Sequence, residues 1–222
     1  MPDKILFSWS GGKDSALALH SLKNRREIEI VALLTTVTAD YDRISMHGVR
    51  KELLEKQVES IGLPLEKIII SKKSSNEEYE EKMKATLLKY RDAGVNTVAF
   101  GDIFLEDLKK YREENLAKIG MKGIFPLWKQ DSYILAKTFI GLEFKAVLTC
   151  VDSKQLDGNF CGREYDTSLL NDLPKGVDPC GENGEFHSFV YDGPIFKNEI
   201  PFARGDIVVR ENQFYFCDLV RV

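Results

Sequence analysis

The sequence predicts a doubly wound α/β fold with a mostly parallel sheet, followed by a smaller mixed α/β lobe. Over residues 1–125, short apolar runs alternate with segments of helical periodicity. Such alternation is typical of parallel strands joined by right-handed helical crossovers. After Phe125 the pattern changes toward strands and turns. We therefore expect one domain over residues 1–125 and a second over residues 126–222.

Strands and helices alternate along the first domain. The strands are predicted at residues 4–9, 28–37, 67–71 and 96–103. The helices are predicted at residues 13–23, 49–61 and 106–119, with a further helix that begins after Ser75 and ends at Gly94. In a doubly wound sheet of this kind we expect the strand order 3-2-1-4-5.

Local signals mark the ends of these helices. Gly62 and Pro64 stop the second helix, and Ser75 with Glu78 forms a capping box at the start of the third. The third helix then carries a stripe of apolar residues at helical spacing, which we expect to lie in the core. Its members are Tyr79, Met83, Leu87 and Tyr90.

The second domain is predicted from fewer elements. A helix at residues 131–140 precedes a strong strand at residues 144–151, and residues 153–188 are rich in Gly, Asp, Cys and Pro. A strand follows at residues 186–191. Two further strands, at 206–210 and 213–219, flank Glu211-Asn212 and are expected to form a β-hairpin.

Composition and charge exclude several classes of protein. A chain of 222 residues can bury about 70% of its unfolded surface, which suffices for a core without disulfides or structural metals. The net charge is −4, so the basic surface typical of a nucleic-acid-binding protein is absent as a global feature. No apolar run reaches the length of a membrane span, and no signal peptide precedes Lys4. The four widely spaced cysteines suit reduced thiols, so we expect a cytoplasmic protein.

A glycine-containing motif lies between the first strand and the first helix. Residues 8–15 read Ser-Trp-Ser-Gly-Gly-Lys-Asp-Ser. Adjacent glycines can form a nest whose N–H groups point at an anion, and the helix N-terminus adds partial positive charge. Ser10 and Ser15 can donate hydroxyls, Lys13 can supply a charge, and Asp14 can hold Mg²⁺ or cap the helix. A plain glycine turn with a cap is the alternative for a shorter motif.

This motif resembles the pyrophosphate loop of the N-type ATP pyrophosphatases, which split ATP into AMP and pyrophosphate. It matches neither the G-x-x-x-x-G-K-[ST] loop nor the G-x-G-x-x-G fingerprint. The resemblance covers roughly the first 120 residues and implies an adenine nucleotide alpha hydrolase-like fold. It further implies ATP and Mg²⁺ as ligands. The phosphate contacts would then come from Ser8, Ser10, Gly11, Gly12, Lys13, Asp14 and Ser15.

Other candidate nucleotide contacts follow from the topology of such a sheet, in which ligands bind at the carboxyl ends of the strands beside the switch point. Gly101 and Asp102 end the fourth strand, and we expect Asp102 to contact Mg²⁺ or ribose, with a helix cap as the alternative. Thr35 lies where the second strand ends and where backbone groups could contact the adenine edge. His47 follows on the next loop and is a further candidate.

A second polar segment, residues 178–188, reads Asp-Pro-Cys-Gly-Glu-Asn-Gly-Glu-Phe-His-Ser. Glu182 and Glu185 could orient an ammonium ion or ammonia, or bind metal. His187 could transfer protons. The alternative is a solvated acidic turn before a strand.

Taken with the loop at residues 8–15, this segment resembles the diphthine–ammonia ligase family over nearly the whole chain. Met46-His47, Gly101-Asp102-Ile103 and Pro126-Leu127-Trp128 also match. The resemblance implies that a carboxylate is adenylated and that ammonia displaces AMP. The acceptor in that family is diphthine on elongation factor 2. Lys13, Asp14, Arg112, Glu182, Glu185 and His187 would be the catalytic residues, with Arg112 neutralising charge on the α-phosphate or acceptor.

Departures from the family pattern bear on the acceptor. Asn183 stands where the family more often has glycine, His187-Ser188 replaces its usual ending, and Ala117 replaces a cysteine. A bacterial-type relative would fit this pattern. No glutaminase nucleophile is evident, so free ammonia is the expected nitrogen donor, and a homodimer is compatible with the sequence.

Two other classes compete with a ligase. A tRNA-modifying ATP pyrophosphatase often has paired catalytic cysteines or a C-x-x-C site and a basic RNA surface, which this sequence lacks. A non-catalytic adenine-nucleotide-binding protein would have the fold without an intact Ser-Gly-Gly-x-Asp-Ser motif. Nucleic acid and membrane are therefore not expected partners.

Overall fold

A computed structural model describes residues 2–41, 43–44 and 48–222 of the chain. Its strands are β1 Asp3–Ser8, β2 Ile28–Thr38, β3 Arg43–Ile44, β4 Leu65–Ile70, β5 Thr97–Ala99, β6 Lys122–Ile124, β7 Lys145–Asp152, β8 Phe186–Asp192, β9 Phe202–Arg210 and β10 Phe214–Arg221. Its α-helices are α1 Lys13–Lys23, α2 Lys51–Ile61, α3 Asn76–Asp92, α4 Glu106–Ala117, α5 Ser132–Gly141 and α6 Thr167–Asp172. Within these described ranges, none of the helices combines the length and the apolar character that crossing a membrane requires.

The first sheet is parallel apart from one short strand. β4, β2, β1, β5 and β6 lie side by side in that order, and the two-residue β3 pairs antiparallel with the end of β2. Counting only the parallel strands along the chain, the order is 3-2-1-4-5, which confirms the predicted fold class. β5 is shorter than the predicted strand because it pairs with both neighbours over Thr97–Ala99 only. Residues 100–102 leave the sheet and line a cavity.

The second sheet is antiparallel and contains four strands in the order β8-β7-β10-β9. β9 and β10 form the hairpin expected around Glu211-Asn212. Both turn residues have positive φ, and the Gln213 N–H donates to the Arg210 carbonyl. Positive φ at both central positions is the signature of the type I′ turns that match the strand twist of hairpins.

One continuous apolar core joins the two sheets. Phe7 and Trp9 from the end of β1 share it with Phe139 of α5 and Phe189 of β8. Backbone contacts cross the same junction, since Lys197 N–H donates to the Ser60 carbonyl at 3.0 Å. We therefore propose that the segments 1–125 and 126–222 fold as one cooperative unit although each has its own sheet.

A smaller apolar cluster covers the opposite face of the first sheet. Leu6 and Val98 point to this face because alternate residues of a strand point to opposite sides. The stripe of α3 packs here less completely than predicted. Leu87 is buried and Met83 and Tyr90 are partly buried, but Tyr79 lines an open groove between α3 and α4. Periodicity predicted which face of α3 turns inward but not how tightly it packs.

All four cysteines are buried and free. Burial raises the pKa of the Cys150 and Cys161 thiols to about 12. They are therefore protonated at neutral pH.

Replacement of Phe139 by alanine tests the shared core. The ring stacks on Phe144 at 4.8 Å and meets Tyr165 edge-on at 5.5 Å. We expect Phe139→Ala to lower the free energy of unfolding by about 3–5 kcal/mol, because a large cavity replaces a fully buried ring. Urea unfolding followed by tryptophan fluorescence and by far-UV circular dichroism should give one coincident transition. Separate transitions would show that the two sheets unfold independently.

Candidate active site between the two sheets

The loop between β1 and α1 is the structural centre of the site. Gly12 caps α1 with extended backbone, and Gly11 has a φ of +80°, a conformation that residues with a side chain rarely adopt. A Cβ at Gly11 would also lie 2.7 Å from Gln57 Oε1. Only glycine fits at this position, and the loop brings the N-terminus of α1 to the cavity as an anion site requires.

The serines of the loop bond to one another and to its backbone. Ser10 Oγ lies 3.1 Å from Ser15 Oγ and accepts from the Gly12 N–H at 3.2 Å. Ser15 Oγ donates to the Gly12 carbonyl at 2.8 Å. The loop is thus held in its shape by its own side chains, and both serines line the cavity together with Ser8.

Lys13 is buried, which sequence reasoning did not predict. Its side chain is 5% exposed, and its ammonium donates to Asp14 Oδ2 at 2.8 Å and to the Cys180 carbonyl. The rings of Tyr165 and Phe186 lie 5.7 and 5.4 Å from Nζ. Burial opposes the charge most strongly, but Asp14, Cys180 and Glu182 together outweigh it, so the pKa of Lys13 is raised. The ammonium is therefore retained at the cavity wall.

The second sheet anchors this loop from a distance in sequence. The Val190 N–H donates to the Gly11 carbonyl at 2.9 Å, and Ser188 Oγ accepts from the Lys13 N–H at 3.1 Å. Ser188 belongs to the polar segment singled out in the sequence, but its role there is to hold the loop. The β1–α1 loop, which we call the phosphate loop after the motif it resembles, is therefore joined to the second sheet by hydrogen bonds.

Gln57 of α2 completes the junction and was missed by sequence reasoning. Its fully buried amide donates to the carbonyls of Gly11 and Val190 at 2.9 and 2.6 Å and accepts from Trp9 Nε1 at 3.3 Å. The available signal was a single polar residue within the apolar stripe that contains Leu53. A buried polar group must be hydrogen-bonded, so such a residue indicates a partner in another element.

Glu182 connects the polar segment of residues 178–188 to the carboxyl end of β5. Its Oε1 accepts from the Ile103 N–H at 2.7 Å, and its side chain lines the same cavity as Lys13 and Asp14. Burial raises the pKa of Glu182 to about 7, although the bond from Ile103 counteracts it. The carboxyl thus titrates near neutral pH and can exchange a proton.

Glu185 does not face the cavity. It is 2% exposed, and its two oxygens accept from the backbone N–H groups of Asp178 and Asn183 at 3.0 Å. We therefore assign it to holding the loop, which differs from the catalytic role expected from the sequence. His187 does line the cavity, beside Glu182.

Gly101, Asp102 and Arg112 lie across the cavity from the second sheet. A Cβ on Gly101 would come within 3.0 Å of the Asp14 and Ser15 backbone, so glycine allows β5 and α1 to approach closely. Arg112 Nε lies 2.9 Å from Asp102 Oδ2, and the guanidinium lies 4.4 Å from the centre of the Phe100 ring. Asp102 therefore orients Arg112 in the structure.

Thr35 also supports the loop instead of facing the cavity. It is 3% exposed, and its hydroxyl donates to the Trp9 carbonyl at 2.7 Å. The predicted contact at His47 lies outside the described residues.

Two adjoining cavities result from this arrangement. The larger, of about 570 Å³, lies between the phosphate loop and the segment around Glu182. The smaller, of about 350 Å³, is the groove between α3 and α4. Ser8, Phe100 and Arg112 line both, so the cavities are continuous at this point.

The fold and the loop define the class of protein. A parallel sheet of order 3-2-1-4-5, with a Ser-Gly-Gly-Lys-Asp-Ser loop after its central strand, places the chain with the adenine nucleotide alpha hydrolase-like proteins that carry a pyrophosphate loop. A family model described as the diphthamide synthase N-terminal domain matches residues 3–123, and one described as the diphthamide synthase C-terminal domain matches residues 131–219. The chain belongs to the diphthamide synthase family, which confirms the resemblance found in the sequence.

Curated relatives carry a consistent name. A diphthine–ammonia ligase of Schizosaccharomyces pombe is 28% identical over 92% of this chain, which spans 37% of that protein's length. A diphthine–ammonia ligase of Danio rerio is 27% identical over 93% of this chain and 89% of its own length. A solved phosphoadenylyl-sulfate reductase from Candida auris is 16% identical, with coverage of 64% of this chain and 72% of its own and a TM-score of 0.37.

Gln57→Leu tests the junction behind the phosphate loop. The change leaves the Trp9 indole N–H and the Val190 carbonyl without this partner, so we expect a loss of about 1–3 kcal/mol in stability. ATP affinity should fall about tenfold, because the Gly11 peptide is less firmly oriented. Calorimetry and thermal denaturation measure the two effects. Gln130→Leu is the matched control, since that exposed amide bonds only locally to the Pro126 carbonyl. Unchanged ATP affinity in Gln57→Leu would contradict the positioning role.

Proposed function

We propose that this protein is an ATP-dependent ligase that adenylates a carboxylate and transfers ammonia to it, releasing AMP and pyrophosphate. The observation that carries the proposal is the shared cavity. The phosphate loop supplies one wall, and the segment that contains Glu182 and His187 supplies the other. A nucleotide and an acyl acceptor can therefore meet in one cavity.

The phosphate chain of ATP fits the loop at residues 10–15. Glycine backbone, two hydroxyls and a retained ammonium line the cavity at the N-terminus of α1, and these are the groups that bind phosphate oxygens. The groove between α3 and α4 suits the nucleoside, because it has an apolar floor formed by Leu34, Val98 and Phe100. ATP bound in this way would place its α-phosphate near Arg112, where the two cavities join.

Mg²⁺ is usual for ATP-dependent ligases, and the donor set is compatible with it. Among the described residues there is no cluster of three or more His, Cys, Asp or Glu side chains that could hold a metal alone. Mg²⁺ commonly binds through one or two carboxylates and the substrate phosphates, and Asp14 is the carboxylate beside the loop. When bound there, the ion would neutralise charge on the departing pyrophosphate.

The reaction comprises two substitutions. An acceptor carboxylate oxygen attacks the α-phosphorus and the bond to the pyrophosphate oxygen breaks, with Lys13 and Arg112 offsetting the negative charge. Ammonia then attacks the acyl carbon, the bond to AMP breaks, and the attacking nitrogen loses a proton. We assign the acceptance of that proton to Glu182, because its raised pKa lies near neutral pH.

Diphthine on elongation factor 2 is the acceptor that we propose, by analogy with the names of the curated relatives. Of the departures from the family pattern, Asn183, His187 and Ser188 line the cavity, whereas Ala117 does not. The Asn183 side-chain amide bonds inward to Glu185 at 3.0 Å, and Ala117 is exposed at the end of α4. Neither Asn183 nor Ala117 replaces a residue to which we assign a role in the reaction.

Product analysis tests the proposed reaction. With ATP, ammonium and a diphthine-containing factor, we expect AMP, pyrophosphate and amide in equal amounts. ADP as the product would exclude adenylation. An RNA gel shift addresses the tRNA-modifying alternative, for which tight RNA binding and RNA-dependent AMP release would be the result. Nucleotide binding without turnover would favour the non-catalytic alternative.

Lys13→Met tests the phosphate loop. Methionine preserves packing against Tyr165 and Phe186 but removes the charge, so we expect the rate of AMP release to fall about 10²–10³-fold. Lys109→Met is the control, because Lys109 also lies over two aromatic rings and pairs with a carboxylate but is not part of the cavity. Thermal denaturation verifies that each variant is folded. Wild-type AMP release by folded Lys13→Met would refute the loop assignment.

Glu182→Gln tests the acceptor side. The amide oxygen can still accept from the Ile103 N–H, so ATP affinity should be retained, whereas amide formation should fall about 10²–10⁴-fold. The wild-type rate, measured at constant free ammonia, should rise with pH through about 7, because the carboxyl must be ionised to accept a proton. Glu182→Gln should lose this rise.

Glu185→Gln is the matched control for that experiment. It introduces an amide NH₂ opposite backbone donors, so it should lower stability by about 1–3 kcal/mol and leave the pH profile unchanged. Loss of the pH-dependent rise in Glu185→Gln, or its persistence in Glu182→Gln, would contradict the assignment of the base.

A further inference from the structure

β9 is an outer strand of the second sheet and presents an unusual edge. Among the described residues it pairs only with β10. Residues 204–210 are exposed, including three consecutive apolar side chains. Ile207, Val208 and Val209 are 50%, 46% and 47% exposed. Because successive residues of a strand point to opposite faces, apolar surface is exposed on both sides of the ribbon.

An exposed strand edge of this kind is usually either paired with another strand or protected from such pairing. Exposed strand edges offer unpaired N–H and C=O groups to other strands, and proteins usually protect them with lysine, proline or short length. The segment Asp206–Arg210 has neither lysine nor proline. The ladder with β10 shifts register between Arg204 and Ile207, so Gly205 and Asp206 lie in a bulge that marks the start of the edge running to Arg210.

The charges on this edge distinguish between the possible registers of two paired copies. When two copies of β9 pair antiparallel about a two-fold axis, the numbers of any two opposed residues add up to the same sum. The residue on the axis lies opposite the same residue of the other copy. An axis at Asp206 would oppose two aspartates. An axis at Ile207 would place Asp206 opposite Val208 and would leave Arg210 without a carboxylate opposite it. An axis at Val208 places Asp206 opposite Arg210 twice, which is the pairing of opposite charges.

The same register also matches the apolar residues. With the axis at Val208, Ile207 of one copy lies opposite Val209 of the other, and Val208 packs against itself. Cross-strand pairs of β-branched residues and of opposite charges stabilise antiparallel sheets, whereas like charges destabilise them. The Arg210 guanidinium is also supported by the Phe216 ring, 5.1 Å away on the neighbouring strand.

We propose that two copies of this chain associate through β9, in antiparallel register about Val208, so that the two four-stranded sheets become one continuous sheet of eight strands. The cavity walls come from other elements, with Phe214 of β10 the nearest contributor in sequence. The dimer therefore leaves both active sites open, and the proposal does not depend on the reaction proposed above.

Charge exchange tests the register. We expect the wild-type protein to sediment as a dimer, and Asp206→Arg or Arg210→Asp to weaken the dimer about tenfold or more, because each places like charges opposite one another at two positions. The double variant, Asp206→Arg with Arg210→Asp, should restore it. Glu199→Arg makes the same change in charge at an exposed position outside β9 and should have no effect.

Sedimentation equilibrium across a dilution series measures each dissociation constant, and circular dichroism verifies the folds. A monomeric wild-type protein would overturn the proposal and leave the edge open to a strand of a different protein. Dimers that persist in both single variants, or a double variant that stays monomeric although folded, would also overturn it.

Discussion

The Gly11 carbonyl is the point on which the rest of the structure depends. A glycine in the left-handed region has no side chain to fix it, so its orientation must come from partners elsewhere. Those partners are the Val190 N–H of β8 and the Gln57 amide of α2, at 2.9 Å each. The orientation of the Gly11–Gly12 peptide determines which way the backbone groups of the phosphate loop point. The Gly11 carbonyl therefore connects the loop to α2 and to the second sheet through hydrogen bonds.

Local signals in the sequence predicted local features well. The capping box is present, with Ser75 Oγ accepting from the Glu78 N–H at 3.2 Å, and the hairpin turns at Glu211 and Asn212. The doubly wound class follows from alternation and crossover handedness, and the strand order 3-2-1-4-5 is the one implied by the resemblance to the ATP pyrophosphatases. These features depend on residues close in sequence or on general rules of chain topology, so one sequence was enough to predict them.

Features that depend on distant contacts were not predictable in the same way. Lys13 is enclosed by Tyr165 and Phe186, which lie more than a hundred residues away, and nothing near Lys13 in sequence indicates this. Glu182 and Glu185 belong to one short motif, yet one faces the cavity and the other faces its own loop. Because both are glutamates in the same motif, the sequence predicted the same role for both, namely contact with ammonia or a metal. Only the path of the loop, with positive φ at Gly181 and Gly184, separates them.

The buried cysteines have a practical consequence for studying this molecule. The thiolate is the form that reacts with alkylating reagents, and a thiol with a pKa near 12 is almost entirely protonated while the chain is folded. The rate at which Cys150 or Cys161 is alkylated, measured by mass spectrometry, would therefore report how often the structure around each of these residues opens. A single cysteine introduced at the surface would react far ahead of the native four. The wild-type background thus already suits site-specific attachment of a fluorophore, with no need to remove its own thiols.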